Sequence, residues 1–173
     1  NSITLGIEFE KQNLNNEKIF GLNLGNVLKD KENAYLPSKT KLNKTRSDII
    51  GNLFYKPNDN LEINYNFSYD RDLEYSNYDS IKATFGMNKF VTSFDYITEH
   101  NDFKDSEIIK NDTQIKFSDE HIVSFNTTKD IEDDFTQFYK VSYEYETDCL
   151  LASFEYQKKF FRDGSLVPDE SLV

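Results

Sequence analysis

Apolar and polar residues alternate one for one along residues 61–70. Leu61, Ile63, Tyr65, Phe67 and Tyr69 fall on one side, and Glu62, Asn64, Asn66, Ser68 and Asp70 on the other. Successive side chains of a strand point to opposite faces. The stretch therefore predicts a strand with one apolar and one wet face. A longer version occupies residues 139–162. Val141, Tyr143 and Tyr145 alternate there with Lys140, Ser142, Glu144 and Glu146. After a break at Thr147 and Asp148, Leu150, Ala152, Phe154 and Tyr156 alternate with Leu151, Ser153, Glu155 and Gln157. The pair reads as a β-hairpin, with Cys149 just after its turn.

The unit repeats along the chain. Ile3, Leu5, Ile7 and Phe9 align in a strand over about 3–11, and Phe20, Leu22 and Leu24 in a second over about 17–28. Ile49, Gly51, Leu53 and Tyr55 mark a third over about 47–56. Ile81, Ala83, Phe85 and Met87 carry the fifth, and Phe90, Thr92, Phe94 and Tyr96 the sixth. Ile115 with Phe117, then Val123 with Phe125, mark a weaker pair joined by residues 118–121. Ser171, Leu172 and Val173 begin an eleventh strand that stops.

Connections alternate in length. Turns at 12–16, 56–60, 88–89, 118–121 and 147–148 are short, while 29–46, 71–79, 99–106, 130–134 and 162–170 are longer and polar. Short turns on one side and longer loops on the other are the habit of outer-membrane barrels. Strands of roughly 9–13 residues suit a tilted membrane crossing of about 9–11 better than the common length of about 5–6. No helical period of useful length is present. The predicted fold is all-β: an antiparallel up-and-down meander of about eleven strands, an open curved fragment of one large transmembrane β-barrel domain covering residues 1–173. A soluble β-sandwich fits the alternation alone equally well. The turn pattern and the charged polar face favour the barrel, for which a generic outer-membrane porin or receptor is the alternative function, ahead of a soluble β-sandwich binding module. On this reading Leu61, Ile63, Tyr65, Phe67, Tyr143, Phe154 and Tyr156 face lipid, and Glu62, Asn64, Asn66, Glu144 and Glu155 face the lumen.

Composition narrows the partners. A net charge of −11 sets the bulk field against nucleic acid. Hydrophobic residues reach only 37%, but aromatics reach 15%, a load that argues against disorder. No apolar run reaches the roughly 18 residues of a membrane helix, which leaves a barrel open. Asn1 opens almost directly into a strand and Val173 ends one, so a fragment of a longer chain is expected, its last strand truncated.

Catalytic signals are poor. His100 and His121 are the only histidines and lie in different connections, neither at a metal-binding spacing from Cys149. His100 with Asp102 faintly suggests a hydrolytic dyad, but such a pair is more often a solvated loop. Asp130, Glu132, Asp133 and Asp134 offer loose oxygen ligands for a divalent cation; a charge run is ordinarily a solvated loop. No enzyme activity, cofactor or metal is expected. Cys149 has no partner within the chain. It is either a free thiol or half of a bridge to chain beyond this one, in an oxidising compartment.

Residues 143–172 resemble the C-terminal end of the LptD family of outer-membrane lipopolysaccharide-assembly proteins, in an alphaproteobacterial style. The likeness rests on a Tyr-rich strand (Tyr143, Tyr145), a Cys-bearing turn (Cys149), Glu155, Tyr156 and Phe160 in the next strand, and Arg162, Asp163, Leu166 and Pro168 in the following loop. Lys159 stands where the family commonly has Arg. Ser47-Asp48, Gly51, Pro57 and residues 70–73 are similar to an earlier segment of the family. The resemblance implies a closed barrel of about 26 strands, plugged by an LptE-like lipoprotein and fed by a periplasmic LptA-like bridge through an N-terminal domain. It further implies release of lipopolysaccharide through a lateral seam, to which Ser171, Leu172 and Val173 would contribute. Cys149 would carry an inter-domain disulfide.

Overall fold

The computed structural model describes residues 1–36, 41–100, 105–160 and 169–172. Among them there is no helix. The strands are β1 (Ser2–Gln12), β2 (Lys18–Lys29), β3 (Ile49–Asn58), β4 (Leu61–Tyr69), β5 (Ser76–Met87), β6 (Phe90–Glu99), β7 (Ser106–Lys116), β8 (His121–Asp130), β9 (Phe135–Thr147), β10 (Leu150–Lys159) and β11 (Asp169–Leu172). They hydrogen-bond in sequence order from β1 to β11, the all-β open meander that the alternation predicts. Two compact units divide the chain: residues 1–82 with 97–106, and residues 83–96 with 107–173.

In the first unit, register sets the faces. Leu22 pairs with Phe9 and Leu53, and Tyr65 with Leu53, so these side chains share one apolar face. Asn23 pairs with Glu8 and Asn52, and Asn66 with Asn52, forming the opposite, polar face. β3 runs two residues beyond its expected end. It contains Pro57, which lacks the N–H a ladder needs. A register shift between Tyr55 and Asn58 accommodates it.

In the second unit, Thr113 pairs with Phe125, Phe125 with Val141, and Val141 with Tyr156. Tyr143 pairs with Phe154 on the same face, while Glu144–Ser153 and Ser142–Glu155 occupy the other. Thr147 pairs with Leu150, so the turn is Asp148-Cys149. The expected position of Cys149 is thereby corrected: it lies within the turn and not after it, because the ladder extends through Thr147. His121, expected in a connection, opens β8 and pairs with Tyr145.

Burial is inverted relative to a water-soluble domain. No hydrophobic side chain among the described residues is buried; the buried ones are Ser47, Asp48, Ser68, Ser80 and Thr128. A sandwich would cover its apolar face with a second sheet. Here that face is bare, with Phe94 and Phe154 each 50% exposed.

Candidate functional site

The apolar face of the first unit carries a run of aromatic rings. Tyr65 and Phe67 lie 5.2 Å apart, and Phe67 and Tyr69 5.6 Å. The Phe67 ring occupies the space above Gly51, its partner on β3, where any side chain would collide with it. Tyr65 donates its hydroxyl to Asp79.

The polar face is a ladder of amides. Asn52 donates to Asn66 at 2.8 Å, and Asn64 to Glu62 at 2.9 Å. A recess of about 340 Å³ is lined by Asn23, Leu24, Gly25, Ile50, Gly51 and Asn52. Lys18 lies over Gly21, its ammonium 3.2 Å from Glu10 and 5.7 Å from the centre of the Phe54 ring. That arrangement neutralises the cation and shields an aromatic ring on the wet side.

At the long-loop end of this polar face lies Asp48, whose side chain is fully buried. Alternation through Ile50 puts it on the face of Ser68, and Ser68 Oγ is 3.4 Å from Asp48 Oδ2. Asn77 donates to the same oxygen at 2.8 Å. Asp48 Oδ1 accepts no hydrogen bond, but Lys41 Nζ is 3.8 Å away. Ser47 is tied in as well: its Oγ accepts from Val27 N at 2.8 Å and its carbonyl from Asn26 at 2.7 Å. Asp70 begins the next connection and accepts from the N–H groups of Glu74 and Tyr75. Those donors hold its carboxyl below the usual carboxylate range, with Lys41 adding a favourable charge.

The second unit has the same division, with one exception. Lys140 pairs with Glu155 at 3.3 Å on the polar face, beside a recess of about 310 Å³ lined by Asn126, Phe138, Lys140, Gln157 and Lys159. On the face that holds Phe125 and Val141, however, Thr113 and Asn111 bring polar groups among the rings. Thr92 and Thr113 hydroxyls are 2.7 Å apart, Thr113 donates to Asn111 Oδ1 at 3.1 Å, and Asn111 Nδ2 donates to Thr92 and to the Ser93 carbonyl. Nearer the short turns, His121 Nδ1 is 2.6 Å from the Tyr143 hydroxyl and its ring lies 4.9 Å from Tyr145. Cys149 is an exposed free thiol, and the chain's one cysteine supports no internal disulfide.

Leu61, Ile63, Tyr65 and Phe67 thus share a face, opposite Glu62, Asn64 and Asn66. Tyr143, Phe154 and Tyr156 likewise oppose Glu144 and Glu155. Ser171 pairs with Gln157 and Leu172 with Tyr156 in β11. Val173, Asp102, Arg162, Asp163, Leu166 and Pro168 lie outside the described residues. His100 follows β6, its N–H bonded to the Asn77 carbonyl. No group of three metal-binding side chains occurs among the described residues. Asp48 was legible only as part of a likeness; Asn77, which donates to it, is 29 residues away in sequence. No curated protein matches the chain. The family model for LptD, LPS transport system D, matches residues 1–122, which contain Ser47-Asp48, Gly51 and Pro57 but not the Cys149 turn. With most of its length matched, the chain belongs to the LptD family.

Proposed function

We propose that this chain is wall from the C-terminal part of an outer-membrane barrel that carries lipopolysaccharide into the outer leaflet, through a polar lumen and a lateral seam. The family is one of lipopolysaccharide transport and not an enzyme family. The observation that carries the reading is the inverted burial: an exposed apolar face opposite a hydrogen-bonded polar one. In lipid every backbone polar group must be paired, which a closed barrel of such strands achieves. Leu61, Ile63, Tyr65, Phe67, Tyr143, Phe154 and Tyr156 then face lipid. Glu62, Asn64, Asn66, Glu144 and Glu155 line the lumen.

Family membership supports the partners of this reading. They are an LptE-like lipoprotein inside the lumen, a periplasmic LptA-like bridge below it, and lipopolysaccharide as cargo. β11, with Ser171 and Leu172, belongs to the seam side, and Cys149 bridges to a periplasmic domain. An alphaproteobacterial type is supported by the sequence of residues 143–172, beyond the span of the family match. Depletion of the protein tests the whole reading. Newly made lipopolysaccharide should then fail to reach surface-specific labelling; undiminished surface labelling overturns it.

A further inference from the structure

Residues 41–46 contact the sheet and the start of their own connection at several points. Lys29 N donates to the Thr45 carbonyl at 2.7 Å, Asn33 N to the Asn43 carbonyl at 2.9 Å, and Leu28 bridges Arg46. Two further contacts come from side chains on the polar face. Lys29, in register with Ser2 on that face, donates its ammonium to the Leu42 carbonyl. Asp48, on the same face, meets Lys41 at 3.8 Å. Lys41 and Leu42 therefore lie on the polar side of the sheet, whereas Thr45 and Arg46 continue the backbone ladder beside β2.

The charge arrangement is asymmetric. Asp48 is fully buried, whereas the Lys41 side chain is 45% exposed. Oδ2 is served by Asn77 and Ser68, neutral donors, while Oδ1 accepts no hydrogen bond and lies 3.8 Å from the Lys41 ammonium. A buried carboxylate stripped of its cation is strongly unfavourable. Lys41 also adopts a φ of 50°, a left-handed conformation that costs a side-chain-bearing residue energy. Its tight turn closes with Lys44 N donating to the Lys41 carbonyl at 3.0 Å. The turn is thus held against its own backbone preference, with the ammonium beside the carboxylate.

We propose that Asp48 is the pin of a charge latch that holds residues 41–44 as a strap over the long-loop end of the polar face. Loss of the Lys41–Asp48 pair frees the strap and uncovers that end. The consequence for passage rests on the lumen reading above; the latch itself does not. Lys44 with Glu32, at 3.5 Å and more than half exposed on both sides, is a solvated pair that does not hold the strap.

Trypsin reads the strap directly, because Lys41, Lys44 and Arg46 are cleavage sites in or beside it; Lys41→Met removes the first, so the readout is cleavage after Arg46. In protein purified from membranes in detergent, Lys41→Met and Asp48→Asn should each speed cleavage after Arg46 by on the order of tenfold or more, through local opening. Glu32→Gln should cleave at the wild-type rate. Retained heat-modifiable migration on gels certifies that the strands stay folded. If Asp48→Asn fails that check, Lys41→Met, which alters an exposed side chain, decides alone. Wild-type cleavage rates in Lys41→Met overturn the latch. In planar bilayers the released variants should conduct more than wild type. Faster cleavage without added conductance keeps the latch and overturns the placement of this end at a lumen mouth.

Discussion

The ring of Phe67 fills the space that a side chain at residue 51 would need, and Gly51 is its register partner on β3. The ring is confined on both sides by Tyr65 and Tyr69. Gly25 offers a contrast. A methyl group there would meet its nearest atoms at 3.6 and 3.9 Å, ordinary contact. Gly51→Ala should therefore destabilise the folded protein by about 1–3 kcal/mol through overpacking, while Gly25→Ala should be close to neutral. Urea titration in detergent micelles compares the two.

The faces of β4 make a second test. Phe67→Arg, if residue 67 meets lipid near the midplane, should cost about 2–4 kcal/mol, and Asn66→Arg much less. Spin labels along 61–69 in a reconstituted barrel should alternate between oxygen and aqueous-reagent accessibility. Loss of that period-two pattern would end the lipid and lumen assignment.

The Asn111 network predicts non-additivity. Thr113→Val alone leaves Asn111 and Thr92 short of a partner on an apolar face and should cost about 1–3 kcal/mol. Replacing all three, with Thr92→Val, Asn111→Leu and Thr113→Val together, removes the polar groups as a set and should cost less than the sum of the single changes. Additive costs would show that the three side chains do not act as one unit.

Asp70 gives a pH dependence outside the strands. Its carboxyl is held below the usual carboxylate range, first by the Tyr75 N–H. A depressed folded pKa means a contribution that is complete above the unfolded value and is lost as pH falls through the folded one. Hydrogen exchange at the amides of Glu74 and Tyr75 should therefore lose protection below about pH 4. In Asp70→Asn that acid-linked step should vanish; its persistence would assign it to another group.

Cys149 carries the last prediction, which rests on the inter-domain bridge. In the full-length protein, Cys149→Ser should leave β9 and β10 paired yet reduce lipopolysaccharide at the cell surface. Non-reducing gel mobility and surface labelling measure both. A mutant that migrates and delivers like wild type would make Cys149 a plain thiol.

Period-two alternation alone determined which residues share a face within each strongly patterned strand, because the backbone of a strand admits no other side-chain geometry. In β4 and the β9–β10 hairpin that local rule reaches nearly every position. It could not reveal that Asp48 is buried, since its surroundings come from Lys41, Ser68 and Asn77 on three other segments. Nor could it show that Asn111 and Thr113 share the face of Phe125, because the weak pattern of β7 leaves its register open until β8 pairs with it. The bulge at Pro57 and the turn at Asp148-Cys149 were likewise decided by where ladders continue. Alternation is a property of one strand, whereas register, burial and charge pairing belong to strands in contact, and only the assembled sheet brings those partners together.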